Sequence, residues 1–259
     1  MIGAIAGDII GSRFEGDTPP HARFKLFHRD CNFTDDTVCV LAVADSLLTR
    51  RSFASGLRRF VAAHPDRGYG QMFEEWAEDK RAGPYGSWGN GAPMRVAAVG
   101  WLALNEPQAM DLAAAQASVT HDHEEAITAA QAVAVAILRL RQGRSVEAVR
   151  THLTTAFHYD LSPEVAFEDG GFDVSAAGTV RPALAAAFEA DSWEGAVRRA
   201  VRQGGDTDTL ACIAGAVAEA IYGVPEAIAA KARSYLSADL EMVLRKFERA
   251  MRRREVGKS

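Results

Sequence analysis

Apolar residues recur at helical spacing along almost the whole chain. Val38, Leu41, Ala42, Ala44 and Leu48 mark one such face and predict a helix over residues 37–48. The same pattern predicts helices over 2–12, 52–63, 71–80, 93–104, 108–118, 145–157, 182–190, 192–202, 210–222, 225–236 and 238–254. A further, Ala-rich helix opens at Thr120-His121-Asp122-His123-Glu124-Glu125 and ends near Arg141. No clean period-two run of valine, isoleucine or aromatic residues occurs, so strands are not expected. The pattern therefore gives an all-α fold, a compact orthogonal helical bundle forming a single domain over residues 1–259, with no linker and no repeat of fixed period.

Several interruptions qualify that pattern. Gly3, Gly7 and Gly11 recur every fourth residue and make a smooth stripe, which suits close approach of another helix in the core. Arg13-Phe14-Glu15-Gly16 leads into a polar loop in which Pro19-Pro20 stops any helix. Pro93 fits a first helical position, where its missing N–H costs nothing. Gly83-Pro84-Tyr85-Gly86-Ser87-Trp88-Gly89-Asn90-Gly91 has loop composition. It is a plain turn or a loop whose backbone N–H groups meet phosphate oxygens, with Tyr85 and Trp88 offering rings to a base. It is not a Walker loop, because no Gly-Lys-Ser/Thr closes it. A second Gly-rich stretch surrounds Asp169-Gly170-Gly171.

Composition narrows the class further. A net charge of −5 gives no general attraction to nucleic acid or an anionic membrane, so an anionic ligand must be drawn by a local site or a metal. Cys31, Cys39 and Cys212 are odd in number and lack C-x-x-C spacing, which argues against a disulfide framework and for a reducing compartment. The apolar N-terminal run lacks a basic region and is broken by Asp8, and no run reaches about 18 apolar residues. A cytoplasmic protein is expected, a monomer with no membrane contact.

Two short blocks carry the candidate chemistry. Phe33-Thr34-Asp35-Asp36-Thr37 precedes one helix and Gly204-Gly205-Asp206-Thr207-Asp208-Thr209 precedes another. Thr and Asp are ordinary N-caps, and acids in a first turn favour the helix dipole. Capping alone asks neither for paired acids in each block nor for Gly-Gly before Asp206. Carboxylate and hydroxyl oxygens at this density suit hard cations such as Mg²⁺. Brought together, the blocks would hold metals about 3.5–4 Å apart, as in two-metal hydrolytic sites. His123, Glu124 and Glu125 read as a capping segment with Thr120 or Asp122 as cap, and His121 is left open.

These motifs, with Gly7-Asp8-Ile9-Ile10-Gly11 and Glu15, Gly89-Asn90-Gly91-Ala92-Pro93-Met94-Arg95 and Thr120-His121, resemble the ADP-ribosylglycohydrolases over nearly the whole chain. The resemblance implies an all-α fold with two Mg²⁺ (or Mn²⁺) ions in a central cleft. It implies Thr34, Asp35, Asp36, Asp206, Asp208 and Thr209 as metal ligands and Glu15 as catalytic acid/base, with Asp208 as the fallback. It also implies Tyr85, Gly86, Ser87, Trp88, Gly89, Asn90, Gly91 and His121 as ADP-ribose contacts. The substrate would be an ADP-ribosylated protein or a small ADP-ribose conjugate. Pro93 departs from the small residue usual there.

Two other readings compete. Asp206-Thr207-Asp208-Thr209 matches the D-x-D-x-T of aspartate-nucleophile phosphatases, which place it after an apolar strand; no strand pattern precedes it here. A non-catalytic ADP-ribose binder on the same fold is the other.

Overall fold

The computed structural model describes residues 1–16, 18–167 and 172–256. Residues 168–171, including the Gly-rich stretch around Asp169-Gly170-Gly171, and the C-terminal residues 257–259 lie outside the described residues. The order is α1 (Ile2–Gly11), a 3₁₀ turn (Ser12–Phe14), α2 (Asp35–Thr49), α3 (Phe53–Ala63), α4 (Gln71–Glu78), α5 (Gly91–Met94), α6 (Ala97–Leu102), α7 (Glu106–Ala117) and α8 (Glu124–Arg141). Then follow α9 (Val146–Phe157), α10 (Pro163–Ala166), α11 (Ala176–Phe188), α12 (Trp193–Val201), α13 (Thr207–Tyr222), α14 (Glu226–Arg233) and α15 (Ala238–Val256). Among the described residues there is no strand, and the one β-bridge pairs Gly89 with Ser175.

The glycine stripe of α1 is the organising contact. A Cβ on Gly7 would lie 2.0 Å from the carbonyl oxygen of Ala211, and one on Gly11 2.3 Å from that of Thr207. Gly3 meets Gly215 in the same way, so no side chain separates α1 from α13. The pairing is antiparallel: the end of α1 meets the start of α13, where Thr207 Oγ1 donates to the Gly11 carbonyl at 2.9 Å. The residues just after α1, including Glu15, are thereby carried to the N-terminus of α13. All ten residues of α1 are buried, and α8 supplies much of the remaining core, packing against α6, α7, α11 and α13.

Several helix boundaries differ from the sequence expectation. Residues 93–104 are not one helix: α5 ends at Met94 and α6 starts at Ala97. Pro93 occupies the third position of α5, still among the amides that have no helical acceptor. Pro182 does not start a helix; α11 begins at Ala176, capped by Ser175, and runs through it. The short α10 was not expected. The cap of α8 is His123, whose side chain accepts from the Glu125 N–H, rather than Thr120 or Asp122.

Candidate active site

Both Asp/Thr blocks lie at helix starts, and α2 and α13 begin two to three residues earlier than periodicity alone indicates. Asp35 and Asp36 open α2, while Asp206 is the N-cap of α13 and Asp208 its second residue. Their first turns meet: Thr209 Oγ1 donates to Asp36 Oδ2 at 3.0 Å, across 173 residues of sequence.

Different neighbours hold the two blocks. Asp8, wholly buried in α1, accepts from the Thr34 amide (3.1 Å) and hydroxyl (2.8 Å) and from the Thr37 amide (3.1 Å) and hydroxyl (2.5 Å). It thus clamps the N-terminus of α2. Asn90 Nδ2 donates to Asp206 Oδ2 at 2.7 Å and to Thr179 Oγ1 at 3.1 Å. Gly204 and Gly205 both have positive φ, +75° and +69°, which turns the chain out of α12 into α13. The Gly205 carbonyl accepts from the Gly16 amide at 2.9 Å, tying the residue after Glu15 to this turn.

One carboxylate oxygen from each of Glu15, Asp206 and Asp208 lies within 4.8 Å of the others. Burial and neighbouring carboxylates push Asp35, Asp36 and Asp208 well above the ordinary carboxylate range. Burial also raises Asp8, to about 6, against the opposing effect of its four hydrogen bonds. Glu15 is raised by partial burial first, then by Asp206 and Asp8. Such crowding of acids asks for a counter-charge. Asp36 Oδ1 is buried with no hydrogen-bond partner, an acceptor left over at the junction of the blocks. The donor set is carboxylate and hydroxyl oxygen, as a hard divalent cation prefers.

A cavity of about 460 Å³ opens from this floor, the size of a small-ligand site. Glu15, all the acids of both blocks, Thr34 and Thr209 line it, as do Tyr85, Ser87, Gly89, Asn90, Gly91 and His121. Gly86 and Trp88 are not part of that lining, and Trp88 is 52% exposed.

The Gly-rich loop is held on both sides. Tyr85 and Ser87 amides reach the Thr120 carbonyl at 3.3 and 3.4 Å, the Asn90 amide reaches Val174 O at 2.9 Å, and the Ala176 amide reaches Trp88 O at 3.0 Å. Among the described residues, the amides of Gly86, Trp88 and Gly91 have no such acceptor. Behind the loop, buried Arg95 donates to Gln116 and Thr120, and Thr120 contacts His121.

In the sequence Asp8 interrupts an apolar run and belongs to a motif behind the family resemblance, with no clamping role attached, and Asn90 is expected only as a ligand contact. The available signal for Asp8 was a charge on a helix whose every other side chain is apolar, because a buried charge requires partners.

A model of the ADP-ribosylglycohydrolase family matches residues 1–256. The chain is 29% identical over 152 residues to the ADP-ribosyl-(dinitrogen reductase) glycohydrolase of Rhodospirillum rubrum, covering 58% of this chain and 52% of that one. It is 28% identical over 151 residues to ADP-ribosylhydrolase ARH3 of Xenopus tropicalis, covering 47% and 43% respectively. The matches thus span about half the length of these two curated relatives. A solved structure titled ADP-ribosylglycohydrolase-related protein complex superposes with a TM-score of 0.73 at 27% identity, covering 96% of each chain. With the acid blocks, the glycine loop and the helical frame in place, the chain belongs to the ADP-ribosylglycohydrolase family.

Proposed function

We propose that this protein hydrolyses the glycosidic bond between ADP-ribose and an acceptor, either a mono-ADP-ribosylated protein side chain or a small ADP-ribose conjugate. The observation that carries the reading is the contact of Thr209 with Asp36 beside Glu15, Asp206 and Asp208. In it, Thr34, Asp35, Asp36, Asp206, Asp208 and Thr209 hold Mg²⁺ or Mn²⁺, two ions per chain. When bound, such cations would compensate the carboxylates and supply Lewis-acid binding for hydroxyl oxygens of the ribose.

The chain's own groups supply the rest. Glu15, with its raised affinity for a proton, takes one from the water that attacks the anomeric carbon. The C–O bond to water forms as the bond to the acceptor breaks, and Glu15 returns its proton to the departing acceptor, so that water and the conjugate become ADP-ribose and free acceptor. The Gly91 amide, which has no backbone acceptor among the described residues, and the ring of His121 line the same cleft as the acids and hold the ligand's diphosphate and ribose without a basic surface. We place this activity in the cytoplasm; no helix among the described residues is long and apolar enough to cross a membrane.

The phosphatase reading lacks its context: Asp206 follows α12 and a Gly-Gly turn, not a strand. The binder reading separates from hydrolysis by assay. Incubated with ADP-ribosylated arginine and serine proteins and O-acetyl-ADP-ribose, the protein releases ADP-ribose from at least one, and EDTA stops it. Binding to all without release favours the binder. Asp35→Ala and Asp208→Ala keep the helical circular dichroism and lose nearly all turnover; undiminished turnover in either refutes the assignment. Glu15→Gln binds ADP-ribose and turns over slowly, whereas a wild-type rate moves the proton transfer elsewhere.

A further inference from the structure

Arg95 is the unusual buried group of the cleft wall. Its side chain is 1% exposed, and among the described residues no carboxylate pairs with it. It is held instead by neutral acceptors. Nε donates to Gln116 Oε1 at 2.7 Å, and Nη2 donates to the Gln116 carbonyl at 2.8 Å and to Thr120 Oγ1 at 2.9 Å.

A guanidinium only donates, so the Thr120 hydroxyl accepts from it. The hydroxyl's own proton is then directed to its other contact, His121 Nδ1 at 2.7 Å. A nitrogen that accepts carries no proton in the neutral ring, which puts the imidazole proton on Nε2. That nitrogen faces the glycine loop: a Cβ on Gly91 would lie 2.8 Å from Nε2, and one on Gly89 3.9 Å. The missing side chain at Gly91 lets the loop pass close to the ring edge, and Gly89, Gly91 and His121 line the same cavity as the acid blocks.

We propose that Arg95 and Thr120 are positioning residues that lock His121 in its Nε2–H tautomer, so that the cleft presents a fixed, uncharged N–H donor to an oxygen of the bound ligand. The alternatives, a neutral Nδ1–H ring or an imidazolium, would have Nδ1–H donate to the hydroxyl's second lone pair and leave the buried Thr120 hydroxyl proton with no acceptor among the described residues. The imidazolium would also place a second cation beside the first. Burial, and then the Arg95 charge, accordingly push His121 down to about 2. The donor is thus the same at every working pH. Arg95 acts through Thr120 and His121 and touches no reacting atom.

The ligand named here rests on the ADP-ribose reading; the tautomer does not. The test is a ¹H–¹⁵N long-range correlation spectrum of protein labelled at histidine nitrogen, with His121 assigned by its loss in His121→Gln. Wild type is expected to show His121 protonated at Nε2 alone, without change from pH 5 to 8. Thr120→Val shifts it toward a tautomer mixture and weakens ADP-ribose binding, read by calorimetry, about tenfold, the scale of one hydrogen bond. Thr120→Ser restores both. A wild-type His121 protonated at Nδ1, or titrating near its ordinary value, overturns the proposal, even if Thr120→Val fails to fold. So does an unchanged tautomer in Thr120→Val. A locked tautomer in a protein that binds no ADP-ribose upholds the lock and defeats the ADP-ribose reading instead.

Discussion

The two acid blocks have nearly the same local sequence logic, yet the protein holds them by opposite means. At the start of α2, Thr34 still caps its helix, accepting from the Asp36 amide at 3.3 Å, and the buried carboxylate of Asp8 grips Thr34 and Thr37 from behind. At the start of α13, Asp206 makes no side-chain cap at all. Its carboxylate is turned toward the cleft by the amide of Asn90, and two positive-φ glycines set the approach of the backbone. One clamp is a titratable anion and the other a neutral amide. Capping and ligand-holding compete for the same oxygens, and only the second block has given up the cap.

That difference is open to attack, most strongly through pH. Asp8 in the folded protein holds its proton up to about 6, whereas the unfolded chain releases it near the ordinary 3.8. The folded state therefore binds more protons in that window, and the stability of the metal-free protein falls as pH rises through it. The fall attributable to Asp8 is about 3 kcal/mol at neutral pH. Urea titrations of chelated protein at pH 4 and 7 should show a fall about 3 kcal/mol smaller in Asp8→Asn than in wild type, the remainder coming from the raised Asp35, Asp36 and Asp208, while Asn90→Ala should match wild type. Equal slopes in wild type and Asp8→Asn would remove the distinction between the clamps.

Removing either clamp should loosen Mg²⁺ within the ten- to hundredfold range of groups that orient ligands. Asp8→Ala, which frees two threonines at once, belongs near about a hundredfold, and Asn90→Ala, which frees one carboxylate, near about tenfold. Calorimetric affinities in the reverse order would contradict the assignment of roles. The smallest effect is expected at Gly205→Ala, where a Cβ in the left-handed region costs about 1 kcal/mol. Its melting temperature should drop by about 3 °C, and no change would show that the turn tolerates a side chain.

Much of this was legible in the chain. Helical periodicity located most elements, and the Gly3, Gly7 and Gly11 stripe announced the close approach that α1 makes to α13. The acid blocks stood out because paired carboxylates exceed what capping needs. The clamps did not, since Asp8 lies 26 residues from Thr34 and Asn90 116 residues from Asp206. No local pattern encodes a contact over such distances. Pro182 misled for a different reason: proline marks first turns on average, but here it sits inside α11. The Arg95–Thr120–His121 chain was hidden because a buried arginine reads as an ordinary surface residue until its acceptors are seen.

The central claim is that both blocks form one metal-binding site. Calorimetric titration of Mg²⁺ into chelated wild type, Asp36→Ala and Asp208→Ala tests it most directly. The account predicts saturable binding by wild type and loss of binding in both variants, although each removes a ligand from only one block. Full-affinity binding by either variant would contradict it.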